Sequence, residues 1–372
     1  MIDAARVSRT GVALLASRLC ILGADPCGGS EVVLWEDARI LESAGIPVRV
    51  YAHAALHGSP VHTIPFRTRT AQLNTIEYIR GLLRKEPQAL IIAYNEPALA
   101  GYSPDRVIVR FDWATPLPRY WSWPPWFSRF QRARYLFPSE SERQIFIERH
   151  ARIPDQHTVV IPNAVDIELF QPRKLDAGSK RLLRVGFAGQ WSERKGIEVL
   201  MDSWQSVKSA LPKCELYLAG GPLVWKNNSH ITDTEAVTRR VKQMEQHGLI
   251  RCVGMLPRFA MPQFWSSLDV AVVPSLYEPF GLVALEALAC GVPVIASAVG
   301  GLKEIVTHGQ CGLLVPPGDA AALDRALSTV LMDESLRLRL SEGARLRAHD
   351  FSLQRRSSNL LGLVLKEEDK VA

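Results

Sequence analysis

Short runs rich in Val, Ile and Ala alternate along the chain with stretches in which apolar residues return every three or four positions. The first pattern suits buried strands and the second amphipathic helices. In the first half the strand pattern covers 12–16, 48–52, 89–93, 107–111, 135–138 and 159–161. The helix pattern there is clearest over 30–44, where Val33, Leu34, Ala38, Leu41 and Ala44 recur at helical spacing. The second half repeats the plan, with strands expected at 184–188, 215–219, 250–253, 270–273, 294–296 and 313–315. Helices are expected there over 197–210, 234–247, 261–267, 281–289, 319–332 and 334–349, and Asp319 after Gly318 predicts an N-cap. Strands alternating with helices predict an α/β protein with mostly parallel, doubly wound sheets. The polar segment 171–180 reads as a linker, so the chain is expected to divide into 1–170 and 181–350, followed by 351–372.

The 372 residues are enough for two domains with substantial cores, and the net charge of +6 suits an anionic substrate or an anionic membrane surface. No Lys/Arg run or nucleic-acid motif accompanies the charge, so nucleic acid is not an expected partner. Cys20, Cys27, Cys214, Cys252, Cys290 and Cys311 are scattered without C-x-x-C spacing, which predicts reduced thiols and a cytoplasmic protein. The apolar stretch 11–24 contains Arg18 and is too short for a membrane span; its first part, 11–17, reads as a buried strand.

Candidate chemistry concentrates at the ends of expected strands, where ligands of such sheets bind. Pro274–Ala287 places Glu278 in a loop and Glu286 two turns into an apolar helix, with Phe280, Gly281 and Leu282 at the helix opening. Unpaired N–H groups at such an opening can hold an anion, and the two carboxylates can accept hydrogen bonds from hydroxyls. A sugar nucleotide carries both kinds of group. Gly189–Gly196 follows another strand and offers the cations Arg194 and Lys195 to a diphosphate. Gly28-Gly29 before the first helix would let backbone approach a phosphate, or simply make a tight turn. No Asp-x-Asp pair occurs and no metal-ligand cluster is visible, so no obligatory metal and no cofactor are expected.

The segment 113–137 interleaves Trp113, Trp121, Trp123, Trp126, Phe127, Phe130 and Tyr135 with Arg119, Arg129, Arg132 and Arg134, and 117–136 has no acidic residue. Trp121, Trp123, Trp126 and Arg129 suit contact with a lipid–water interface. They equally suit stacking on an acceptor sugar, or a packed loop with exposed arginines.

Taken together, the segment PSLYEPFGLVALEALACGVPVIAS with its Glu278-x7-Glu286 spacing, the continuation Val299-Gly300-Gly301 to Gly312-Leu313-Leu314-Val315, the segment 159–166 reading VVIPNAVD, and Gly28-Gly29 resemble the retaining GT-B glycosyltransferases of family 4. The resemblance covers nearly the whole chain. It implies two Rossmann-like domains facing across a cleft, an N-terminal acceptor domain and a C-terminal domain for the nucleotide-sugar donor. It further implies that 351–372 holds a helix crossing back to the first domain. By motif, Glu286 would bind the donor's ribose hydroxyls, Glu278 hydroxyls of the transferred sugar, Lys195 the diphosphate, and Leu256 the base. Phe280, Gly281 and Leu282 would offer backbone contacts, and Gly29 would touch the diphosphate.

Two positions depart from the family's pattern. Gln190 stands where an Arg is usual, leaving Arg194 to compensate, and Arg110-Phe111-Asp112 stands where a His-Asp pair is frequent, leaving Asp112 as the acidic group. The expected activity is glycosyl transfer with retention, to a glycan or lipid-linked acceptor in polysaccharide or glycoconjugate synthesis, by a cytoplasmic protein peripheral to the inner face of the membrane. The departures leave open a scaffold that binds a sugar nucleotide or glycan without transferring it. A UDP-sugar epimerase of the same fold would need a His poised for acid–base work, and none stands out.

Overall fold

The structure, a computed structural model, describes residues 11–16, 21–22, 29–52, 54–55, 62–63, 71–113, 117–118, 122, 126–172, 182–222 and 231–371. The chain forms two compact units, one from Met1–Asn163 with Gln354–Ala372 and the other from Ala164–Leu353.

The first unit contains a seven-stranded parallel sheet in the order His62–Thr63, Val48–Ala52, Val12–Leu15, Leu90–Tyr94, Val107–Arg110, Arg134–Phe137, Thr158–Val160. Val12–Leu15, Leu90–Tyr94 and Val107–Arg110 are buried at every position. Central strands of a parallel sheet are covered on both faces, which is why they read as continuous apolar runs. The helix Gly29–Ser43 follows the expected pattern within a residue. Glu140–Arg149 is a helix that the apolar spacing does not announce: of its residues Glu142 and Phe146 are buried, and its start is set by Ser139 Oγ accepting from the Glu142 N–H at 3.2 Å. The short helix Trp126–Arg132 buries Phe130.

The second unit contains a six-stranded parallel sheet, ordered Arg251–Gly254, Cys214–Gly221, Leu183–Gln190, Val270–Val273, Val294–Ser297, Gly312–Val315. Leu183–Gln190 and Cys214–Gly221 run past their apolar cores because glycines extend the pairing through Gly189↔Gly220 to Gln190↔Gly221. A Cβ on Gly220 would meet the Gly189 carbonyl oxygen at 2.0 Å. The helix Ile197–Ala210 buries Leu200, Met201, Trp204 and Val207, and the Trp204 indole donates to the Leu249 carbonyl at 2.7 Å. Asp319 and Asp333 cap the helices Ala320–Met332 and Glu334–His349 by accepting from the N–H groups of Ala322 and Leu336, both at 2.8 Å.

The chain leaves the first unit earlier than the position of the polar linker implies. Val165 and Phe170 are buried in the core of the second unit, and the Val165 N–H donates to the Phe351 carbonyl at 2.9 Å. The C-terminal helix Leu353–Val371 lies mostly in the first unit. Arg356 donates to both carboxylate oxygens of Asp37 at 2.6 and 2.8 Å, and to the carbonyls of Ile161 and Pro162 at 3.3 and 2.7 Å. The Tyr94 hydroxyl donates to the same carboxylate at 2.6 Å. Arg356 and Asp37 are 1% and 0% exposed, so removing either partner strands a buried charge. Arg356→Ala is expected to destabilise the first unit by about 3 kcal/mol in denaturant unfolding. Arg356→Met combined with Asp37→Leu is expected to cost less than the single change; a larger loss in the double variant would contradict a charge-pairing role.

Candidate active site

Three neighbouring strands of the second unit, Leu183–Gln190, Val270–Val273 and Val294–Ser297, end in loops that interlock through glycine. After the first of them a single 3-10 turn, Glu193–Lys195, ends at Gly196 with φ +66°. A Cβ at Gly196 would sit 1.8 Å from the Pro274 carbonyl oxygen, and the Leu276 N–H donates to the Arg194 carbonyl at 2.9 Å. After the third strand, Gly300 (φ +46°) leaves room for the Glu278 carbonyl, which a Cβ would meet at 2.0 Å, and the Gly301 N–H donates to that carbonyl at 3.0 Å. Only glycine adopts such a conformation at such a distance without strain.

This backbone brings Lys195 and Glu278 together. The ammonium Nζ donates to Glu278 Oε2 at 2.6 Å, and Ser275 Oγ donates to the same oxygen at 3.1 Å. The side chains are 18% and 9% exposed, so the pair is largely shielded from solvent. Arg194 is exposed beside it, as is Gln190 at the end of its strand.

The helix Leu282–Ala289 opens next to this pair. Gly281 (φ +110°) is its N-cap and takes part through its carbonyl, which accepts from Ala284 and Leu285 at 3.0 and 3.1 Å. The first N–H groups of a helix point outward without partners inside it, so the backbone of Gly281 and Leu282 offers donors. The Phe280 ring is buried and meets Phe351 edge-on at 5.9 Å, which leaves its backbone as the part available to a ligand. Leu256 is half-buried against the same core.

Glu286 is 6% exposed in that helix. Its Oε1 accepts from Arg258 Nη1 at 3.1 Å and its Oε2 from the Trp265 indole at 3.3 Å. The Arg258 guanidinium lies 5.5 Å from the centre of the Phe170 ring. Burial is the strongest influence on Glu286 and raises its pKa, while Arg258 and Trp265 oppose that rise. Each oxygen keeps a second lone pair, so the carboxylate remains able to accept from a diol. Arg258, Trp265 and Ser275 are partners that sequence reading did not single out. A carboxylate inside an apolar helix demands such partners, but spacing along the chain does not say which they are.

Asp112 belongs to the first unit and is tied there. Its two oxygens accept from Arg110 Nε at 2.9 Å and Asn95 Nδ2 at 3.1 Å, and its N–H donates to Asn95 Oδ1 at 2.9 Å. Asn95 holds φ +54°, the one positive φ found outside glycine among the described residues. Such strain persists where the surroundings over-determine it. Arg110 is fully buried, also donates to Asn163 Oδ1, and its Nη1 has no protein acceptor.

The remaining expected site residues are accounted for separately. Gly29 opens its helix and is exposed, while Gly28, Trp121 and Trp123 lie outside the described residues. Trp126 packs on Tyr102 at 5.3 Å between ring centres, and Arg129 lies over Trp126 and donates to the Gly101 carbonyl at 3.1 Å. Trp126 is half-buried and Arg129 exposed. Among the described residues, no helix is long and apolar enough to cross a membrane.

Sheets, loops and paired carboxylates of this kind define a two-unit α/β protein of the GT-B fold. Residues 171–347 match the family described as Glycosyl transferases group 1. The chain is similar to D-inositol 3-phosphate glycosyltransferases from Stackebrandtia nassauensis (34% identical over 239 residues, 60% of this chain and 52% of that protein). The same relative from Salinispora arenicola is 32% identical over 247 residues, 61% of this chain and 53% of that protein. The chain thus spans about half the length of these curated relatives. Among solved structures, sucrose-phosphate synthase from Thermosynechococcus elongatus shares the fold with a TM-score of 0.73 at 24% identity, covering 95% of this chain and 98% of that one. WaaG, involved in lipopolysaccharide biosynthesis, does so with a TM-score of 0.72 at 16% identity, covering 95% and 99%. Anabaena HepE in complex with UDP and glucose gives 0.71 at 19% identity, with the same coverage.

Arg258→Met leaves Glu286 buried without its cation, and a loss of about 2 kcal/mol is expected at pH 7. The sign of the pH dependence follows from the raised pKa. An unpaired buried carboxylate is costly when ionised, so the variant binds a proton more readily when folded than unfolded. Its deficit relative to wild type should be largest near neutrality and shrink as pH falls toward about 5. Thermal melts across that range check it, and a deficit that grows on acidification would contradict the pairing.

Proposed function

We propose that the protein is a retaining glycosyltransferase that moves a sugar from a nucleotide diphosphate sugar to a glycan or lipid-linked acceptor. The observation that carries this reading is the Lys195–Glu278 pair, 2.6 Å apart on two loops locked by glycine, at the opening of the helix that bears Glu286. A cation for phosphate, a carboxylate for hydroxyls and free helical N–H groups are what a sugar nucleotide requires. Solved complexes of HepE with UDP-glucose and with UDP add support from a protein of the same fold.

In this reading Lys195 and Arg194 hold the diphosphate, with the backbone of Phe280, Gly281 and Leu282 and with Gly28 and Gly29. Glu278 accepts from hydroxyls of the transferred sugar, Glu286 from the ribose, Leu256 packs on the base, and Gln190 contributes a neutral contact. The bond from the anomeric carbon to the diphosphate oxygen breaks, and its electron pair leaves with the diphosphate. The acceptor hydroxyl forms the new bond on the same face and passes its proton to the departing diphosphate. Lys195 and the helical N–H groups stabilise the growing negative charge, which is preorganised electrostatic catalysis. Asp112 retains lone pairs for acceptor hydroxyls. No metal is needed to neutralise the diphosphate in this scheme. We further propose a cytoplasmic protein that meets an anionic membrane surface through the basic aromatic segment around Trp121 and Trp123.

A thermal-shift series with UDP-, GDP-, ADP- and dTDP-sugars tests the donor. One of them is expected to stabilise the protein by about 2.7 kcal/mol at a hundredfold excess over its dissociation constant. No stabilisation by any of the four would sink the donor assignment. A second reading, a scaffold that binds without transfer, is favoured by Gln190 in place of a cation and by Asp112 being engaged on both oxygens. Stabilisation by a donor together with no release of nucleotide from it, in wild type as in Lys195→Ala, would select that reading. Flotation with anionic liposomes is expected at low salt and lost at high salt; no flotation at low salt overturns the membrane contact.

A further inference from the structure

The Lys195 ammonium lies where the donor's diphosphate would sit in the function proposed above, and it already has an anion. Glu278 holds it at 2.6 Å in a site where both side chains are mostly buried. The backbone on each side is fixed. Leu276 is bonded to Arg194, Gly196 abuts Pro274, and the Glu278 carbonyl is held by Gly301 with Gly300 pressed against it. The two charges can therefore part only by rotation of their side chains, and the loops that carry them stay in place.

A sugar nucleotide gives both groups new partners. Its diphosphate takes Lys195, and the sugar's hydroxyls donate to the released carboxylate. Transfer reverses only one half of this exchange. The sugar leaves and Glu278 loses its donors, while the outer phosphate changes from a diester to a terminal group. Once the acceptor's proton has passed to water, that group carries close to one additional negative charge above about pH 6. Two anions then compete for one ammonium in a partly buried site, where like charges repel strongly.

We infer that Glu278 discriminates between loaded donor and spent nucleotide: it receives the sugar when the donor binds, and it reclaims Lys195 and expels the nucleoside diphosphate after transfer. The inference rests on the donor reading above and adds a role in product release to that site. It gives the carboxylate opposite effects on two ligands that share a nucleotide. A residue that merely bound the sugar would affect the donor and leave the free nucleotide untouched.

Calorimetric titration of UDP, GDP and ADP, and of the corresponding glucose nucleotides, into wild type, Glu278→Gln and Glu278→Ala separates these cases. The nucleoside diphosphate that binds wild type is expected to bind Glu278→Gln about tenfold more tightly, the scale of coupling between close charges. Its glucose nucleotide is expected to gain nothing or to bind more weakly. Glu278→Ala should show the same gain and guards against a defect peculiar to the amide, with thermal melts confirming that each variant is folded. Lys195→Gln should weaken every nucleotide. Equal or weaker binding of the nucleoside diphosphate to both folded Glu278 variants overturns the inference and leaves the donor reading standing. Absence of binding by all six ligands to every form overturns both.

Discussion

The candidate site is held by contacts that admit no side chain. Gly196 lies under the Pro274 carbonyl, and Gly300 and Gly301 lie under the Glu278 and Phe280 backbone, at distances a Cβ cannot occupy. These contacts join three strand ends into one platform, and Lys195 and Glu278 stand on it as a pair of opposite charges. Rigidity here has an electrostatic purpose. With the backbone held in place, only the side chains have to turn for the cation to meet its ligand, so little reorganisation remains when charge develops there.

The two buried carboxylates on this platform differ in their partners. Glu278 faces a flexible ammonium with three donors and a compact charge; Glu286 faces a planar guanidinium and an indole N–H. A lysine pair separates by rotation about single bonds, whereas the Arg258 guanidinium is also stacked on Phe170 and is harder to move. The arrangement thus gives one exchangeable carboxylate and one anchored one, eight positions apart in sequence.

Much of this was legible in the chain. Continuous apolar runs located the central strands because parallel strands are buried on both faces, and the segment from Pro274 to Ala287 announced a charged helix opening. What stayed hidden depends on contacts distant in sequence. Arg110 lies in the expected strand 107–111 and is fully buried, and its partners Asp112 and Asn163, which receive its N–H groups, are not visible from spacing along the chain. Asn95 shows no sign in sequence of its left-handed backbone. The segment around Trp126 and Arg129 left membrane contact, sugar stacking and packing open in sequence; the contacts of Trp126 with Tyr102 and of Arg129 with the Gly101 carbonyl come from residues distant in the chain. Glu140–Arg149 has no apolar stripe to reveal it, and its start is set by the Ser139 cap.

Arg356 carries a consequence for the order in which the protein is made. Asp37 is translated early and is fully buried in the finished first unit, but its guanidinium partner lies over three hundred residues downstream. Until the last helix emerges from the ribosome, the first unit must either leave Asp37 hydrated or bury it without its cation. N-terminal domains ordinarily complete folding as they are synthesised. The Asp37–Arg356 pair, by contrast, can form only after the second unit has been translated.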